Sequence, residues 1–112
     1  MANKKTIVVY VSWQPRFKLR SPYINFKDIR NIKSIFSDEK ARILFALKTK
    51  NPKSIYQLAK ILNRQPKAVK KDLKFLERFG IVLLKKERDK KTKRYYVRPT
   101  LLANEIEIRF VI

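Results

Sequence analysis

Cysteine and histidine are both absent from this 112-residue chain, and glycine occurs once, at Gly80. Without cysteine there is no disulfide and no thiolate nucleophile. Without histidine there is no imidazole acid–base catalysis, and the usual zinc ligand sets are missing with both. The lack of cysteine fits a reducing compartment, so a cytoplasmic location is expected. A single glycine excludes a glycine-rich phosphate loop. Acids are scarce: Asp28, Asp38, Glu39, Asp72, Glu77, Glu87, Asp89, Glu105 and Glu107 are the nine, against 29 lysines and arginines. Most fall at helix starts, on helix surfaces, at a loop tip or in the last strand, and only Asp72 lies among clustered bases. No enzyme, metal site or cofactor is expected from this inventory. Long apolar runs are also missing, since a membrane span needs about 20 such residues, and no membrane association is expected. The start of the chain imitates a signal peptide, but Thr6–Trp13 is β-branched and no small-residue cleavage site follows, so it reads as a strand.

What is present is a core and a large charge of one sign. Hydrophobic residues make up 45% of the chain, which excludes a disordered basic tail and makes one domain, 1–112, the default. The formal net charge is +20. A folded domain with that charge repels itself unless a polyanion relieves it. Thermophile surfaces interleave both signs in ion-pair networks, and here the acids are too few. Nucleic acid is therefore the expected partner class.

The chain divides into a strand and basic loop (1–24), a core (25–98) and a C-terminal strand (99–112). The loop holds Pro15 and Pro22 with Arg16, Lys18 and Arg20. Asn25 with Asp28 suggests a helix cap before Phe26, Ile29, Ile32 and Phe36, which repeat at helical spacing. Ser37 opens a second helix, 38–50, with Ile43, Leu44 and Leu47 as its apolar stripe. Ser54 and Gln57 form a capping box for a third, 55–62. Pro66 sits at the first position of a fourth, 66–79, and Gly80 where a left-handed cap belongs. Strands follow at 81–86 and 94–98 around a charged tip. Residues 104–112 alternate, with Ile106, Ile108, Phe110 and Ile112 on one side.

Ser54–Val82 carries the strongest functional signal. Two short helices with a three-residue connection, Asn63-Arg64-Gln65, suit a helix-turn-helix. The second helix places Val69, Leu73 and Leu76 on one face and Lys67, Lys70, Lys71, Lys74 and Arg78 on the other. No acid occurs from Lys40 to Lys71. Such a helix fits the major groove, with its lysines meeting phosphates or base edges. Lys90, Lys91, Lys93 and Arg94 fall on the hairpin tip and can lie along the nucleic-acid backbone or reach the minor groove. Gln65 can read a base edge or merely cap a helix. Lys53 and Ser54 open the preceding helix, where backbone N–H groups can take a phosphate. Arg64 can bind phosphate or pair with Asp72, which should face inward and orient a cation. Tyr95 and Tyr96 fall on opposite strand faces, so at least one belongs in the core. Trp13 suits packing or a dimer contact.

Residues 26–82 resemble the winged-helix transcriptional regulators, in particular a group of short archaeal and bacterial regulators described as antitoxin-like. The residues carrying the resemblance are Phe26, Ser37-Asp38-Glu39-Lys40, Pro52 through Ala59, Leu62, Arg64, Val69 through Leu73, Leu76 and Gly80-Ile81-Val82, with Ile106 through Arg109 resembling the group's ending. The resemblance implies an α+β winged helix-turn-helix with an N-terminal strand, about four helices, a wing hairpin and a C-terminal strand. It also implies DNA contacts by the 66–79 recognition helix and the 86–94 wing, and raises a toxin as a small protein partner. The high lysine content and the long basic wing depart from the group and weigh against base discrimination. The expected function is double-stranded DNA binding in transcription regulation. Sequence-tolerant architectural binding and RNA or ribosome association are the alternatives. A homodimer is expected because Thr6–Trp13 and 104–112 offer more apolar strand surface than a minimal wing requires.

Overall fold

The structure, a computed structural model, describes residues 6–12, 24–26 and 37–111. The protein is α+β, with three helices among the described residues: α1 (Asp38–Lys50), α2 (Ile55–Leu62) and α3 (Pro66–Arg78). The strands are β1 (Thr6–Ser12), β2 (Ile24–Phe26), β3 (Val82–Arg88), β4 (Tyr95–Leu101) and β5 (Glu105–Val111). The chain forms two compact units, residues 38–102 and residues 1–37 with 103–112.

Residues 38–102 hold the three helices and an antiparallel hairpin, β3–β4, in register from Val82↔Leu101 to Arg88↔Tyr95. Their core follows from periodicity. Ile43, Ala46 and Leu47 are buried on α1, Leu58 and Ala59 on α2, Val69, Leu73 and Leu76 on α3, and Ile81 and Val82 at the entry to β3. Each buried valine, leucine or isoleucine side chain among them contributes about 1.5–3 kcal/mol on burial. Leu44, expected in the α1 stripe, is only half-buried, and Ala46 takes its place in the core.

With one glycine in the sequence, the three helices among the described residues end on asparagine in two cases. Asn51 (φ 46°), Asn63 (φ 53°) and Gly80 (φ 71°) each adopt the left-handed conformation just past a helix. Asparagine tolerates this region better than most side chains, and glycine does so freely. After α3 the Gly80 N–H donates to the Glu77 carbonyl at 3.0 Å and the Ile81 N–H to the Leu76 carbonyl at 3.1 Å. This pair of bonds caps the orphan carbonyls, while Leu76 and Ile81 are both buried. The same pattern closes α2, with Asn63 donating to Lys60 and Arg64 to Ala59. Helix α3 stops at Arg78, one residue short of the expected Phe79, which serves as the cap.

The second unit contains a parallel sheet in the order β2-β1-β5. Strand β1 pairs with β5 from Thr6↔Glu105 to Ser12↔Val111, and with β2 from Val9↔Ile24 to Val11↔Phe26. Thr6 Oγ1 donates to Glu105 Oε2 at 3.0 Å at one end of the β1–β5 ladder. Along β5, Ile106 and Ile108 are half-buried while Glu105, Glu107 and Arg109 are exposed, as the alternation requires.

Several sequence expectations are corrected. Asn25 and Phe26 do not open a helix: both lie in β2, where pairing to β1 overrides the local helical spacing. The rest of that expected helix, most of the 14–24 loop and Trp13 lie outside the described residues. The division at 98/99 falls inside β4, which runs to Leu101. The terminal strands, whose surface suggested a dimer, pair with each other within the chain along one edge of each.

Candidate nucleic-acid interface

On α3 the sequence places one buried stripe and one basic stripe, and the helix geometry separates them. With 100° per residue, Lys67, Lys70, Lys71, Lys74 and Arg78 span an arc of about 100° opposite Val69, Leu73 and Leu76. Those three apolar residues are fully buried and the five cations are exposed. From Lys67 to Lys74 the row is about 10 Å long at 1.5 Å per residue. Among the described residues, none of Lys67, Lys70, Lys71 and Lys74 has a carboxylate within salt-bridge distance. Glu77 flanks the row without pairing to it.

The start of α3 is set by Pro66 at its first turn and Gln65 as the cap residue. Gln65 is exposed, and its side chain makes no capping bond, which leaves the amide available. Arg64 is engaged: its guanidinium donates to Asp72 Oδ2 at 3.0 Å. Asp72 also meets Lys40 Nζ at 3.8 Å, and that ammonium sits 4.7 Å from the centre of the Phe75 ring. Asp72 therefore holds cations from α1 and from the α2–α3 connection against α3. These side chains are 13–25% exposed, so their Coulombic attraction is less screened than at an open surface.

At the opening of α2, the Gln57 N–H donates to Ser54 Oγ at 3.0 Å, and the Lys53 N–H donates to Gln57 Oε1 at 2.6 Å. The capping box forms with its return bond shifted one residue, to Lys53 instead of Ser54. Two N–H groups that could have met a phosphate are satisfied internally. Lys53 retains its exposed ammonium.

The hairpin tip is built around Asp89. Its side chain accepts from the Lys91 N–H at 2.8 Å and the Thr92 N–H at 3.4 Å, and its backbone exchanges bonds with Lys93 and Arg94. Lys93 takes φ 60° to close the turn. This arrangement leaves Lys90, Lys91, Lys93 and Arg94 exposed. Below the tip, neither tyrosine enters the core, against expectation. Tyr95 is 62% exposed, with Lys86 Nζ 4.6 Å and the Arg88 guanidinium 5.6 Å from its ring centre. Tyr96 is half-buried and donates to Glu87 Oε2 at 2.8 Å, and Arg98 meets the same oxygen at 3.4 Å. The bond to Glu87, which an ionised phenolate would lose, raises the Tyr96 pKa above its usual value near 10, with desolvation and the Glu87 charge acting the same way.

Sequence reasoning overlooked Tyr56 and Lys60. They share a cavity at the α2–α3 connection with Arg64 and Gln65. Their separation of four residues on α2, with no apolar role for either, was the available signal. Among the described residues, no cluster of acidic side chains could hold a metal ion, and no helix is long and apolar enough to cross a membrane.

No curated protein matches the chain. The HVO_A0114 family model matches residues 35–108, which takes in α1, α2, α3, the β3–β4 hairpin and the first half of β5. With that match extending over well beyond half its length, the chain belongs to the HVO_A0114 family.

Proposed function

We propose that residues 38–102 act as a winged helix-turn-helix and that the protein binds double-stranded DNA through them, as a transcriptional regulator. In this reading α2, the left-handed turn at Asn63 and α3 form the helix-turn-helix, α3 enters the major groove, and the β3–β4 tip lies on the backbone as the wing. The observation that carries the reading is the α3 lysine row, exposed opposite a fully buried stripe and with no carboxylate partner among the described residues. A solvated helix face would interleave signs; an unpaired row gains only when phosphates replace its counterions. The resemblance to winged-helix regulators supports the same assignment, and the helix order with a hairpin directly after α3 is compatible with it.

A second reading, sequence-tolerant architectural binding, is favoured by the composition of the interface. Of the residues assigned to DNA, only Ser54 and Gln65 are uncharged, and lysine–phosphate contacts carry no base information. Titration against duplex DNA from the protein's own upstream region, random duplex and RNA of equal length, at several salt concentrations, tests both readings. With about six phosphates neutralised, log affinity should fall against log salt with a slope of about −5. A slope near zero, or preference for RNA, overturns DNA binding. Gln65→Ala separates the regulator from the architectural binder: a regulator loses about 1–3 kcal/mol on its preferred site and little on random DNA.

A further inference from the structure

Between α2 and α3 the chain reverses within Asn63-Arg64-Gln65 and leaves an open cavity of about 350 Å³, lined by Tyr56, Lys60, Asn63, Arg64, Gln65 and Pro66. Its walls are fixed from three sides. Asn63 is locked in the left-handed conformation by the bonds that close α2. Arg64 is held at 3.0 Å by Asp72. Pro66 has a ring-restricted backbone. Tyr56 and Lys60 stand one helical turn apart on α2, both exposed, Tyr56 to 68%. Lys60 has no carboxylate partner among the described residues. The lining offers an ammonium, a guanidinium, a phenol and two carboxamides, and no acid. That donor set matches a small anion with several acceptor oxygens. The volume lies near the lower end of ligand pockets, which run from about 300 to 1,000 Å³, and is too small for a large cofactor.

We propose that this cavity holds one phosphodiester of the bound DNA backbone, with Lys60 Nζ and the Tyr56 hydroxyl donating to it. The proposal rests on the DNA-binding reading above and adds a positioning function to it. Gln65 lines the same cavity, so a phosphate held there sets the register in which Gln65 meets the base edges. Phosphate contacts of this kind orient a protein on the duplex while base contacts discriminate.

The test uses the full chain with Lys60→Gln and Tyr56→Phe, substitutions at exposed positions that leave the core intact. Removing one phosphate contact should reduce duplex affinity about eightfold at 0.1 M salt and lower the salt slope by about 0.9. Loss of one hydroxyl donor should cost about two- to tenfold. Duplexes carrying a single uncharged methylphosphonate, moved along each strand, then locate the contact: the Lys60→Gln penalty should vanish at one position per bound protein and persist elsewhere. Wild-type affinity for both variants, alongside a clear loss on mutating Lys70 and Lys74, overturns the cavity assignment and leaves DNA binding standing. Failure of the unaltered protein to bind duplex overturns both. Inorganic phosphate supplies the remaining arm. If it saturates the cavity, seen as shifts in the Lys60, Asn63 and Gln65 amide signals, while Lys60→Gln leaves duplex affinity unchanged, the site takes a free anion and the backbone assignment is wrong. A Lys60→Gln penalty found on duplex RNA and not on DNA overturns it equally.

Discussion

Replacing Lys70 and Lys74 together by glutamine removes two cations that lie one turn apart on α3, both exposed and neither paired with an acid among the described residues. Each contact between a cation and a B-DNA phosphate contributes about 0.9 to the slope of log affinity against log salt. Losing two should flatten the slope by about 1.8. At 0.15 M salt this corresponds to about a 30-fold loss of affinity, or about 2 kcal/mol. The fold should survive, because Val69, Leu73 and Leu76 on the opposite face are untouched and such surface changes usually stay within about 0.5 kcal/mol. Fluorescence anisotropy with a labelled duplex at four or more salt concentrations reads both numbers, and thermal unfolding checks the fold. The control is Lys48→Gln with Lys50→Gln at the end of α1, which makes the same change in net charge from exposed positions. If the two pairs lose affinity equally, the effect belongs to the general field of a +20 protein and α3 is not the contacting surface. Glutamate at Lys70 and Lys74 places like charge beside phosphate and should nearly abolish binding.

Three further outcomes follow from the geometry. Gly80→Ala should destabilise by about 1–2 kcal/mol in urea unfolding through backbone strain alone, since an added Cβ meets nothing within 4 Å at φ +71°; Gly80→Asn should cost less, and an equal cost would point to a clash instead. Asp72→Ala leaves Lys40 and Arg64 without their shared carboxylate in a mostly covered position and should cost about 1–3 kcal/mol; unchanged stability would show that the network is incidental. Tyr96 should ionise above the usual phenol value near 10 in a spectrophotometric titration, and the shift should shrink in Glu87→Gln. Because its folded pKa is the higher one, its contribution to stability is fully present below pH 10 and is lost as pH rises through the folded value; a Tyr96 that titrates with the other tyrosines refutes the hydrogen bond.

Much of residues 38–102 was legible in the sequence because it is built from local rules. Ser54 with Gln57, Pro66 at a first turn, and Gly80 at a left-handed position each act within four residues of chain. The stripe Val69, Leu73 and Leu76 repeats at a period that only a helix can bury, and the lysines are forced to the other side by the same geometry. Asp72 as an inward acid was also legible, since an unpaired carboxylate beside a lysine row would oppose the function the row suggests. What tertiary structure alone decided involves partners distant in sequence. Nothing near Asn25 and Phe26 marks them as strand; their pairing with Tyr10 and Val11 does. Thr6 and Glu105 meet across a parallel ladder whose register no local pattern encodes. Lys40 reaches Asp72 only because α1 packs beside α3, and that choice decides which cations brace the core. Tyr56, Lys60 and Gln65 line one cavity because Asn63 turns the chain left-handed, a local event whose consequence appears only when the two helices are placed in space. Periodicity reports which face of an element is buried, whereas the identity of what covers that face depends on contacts between elements that one-dimensional spacing does not carry.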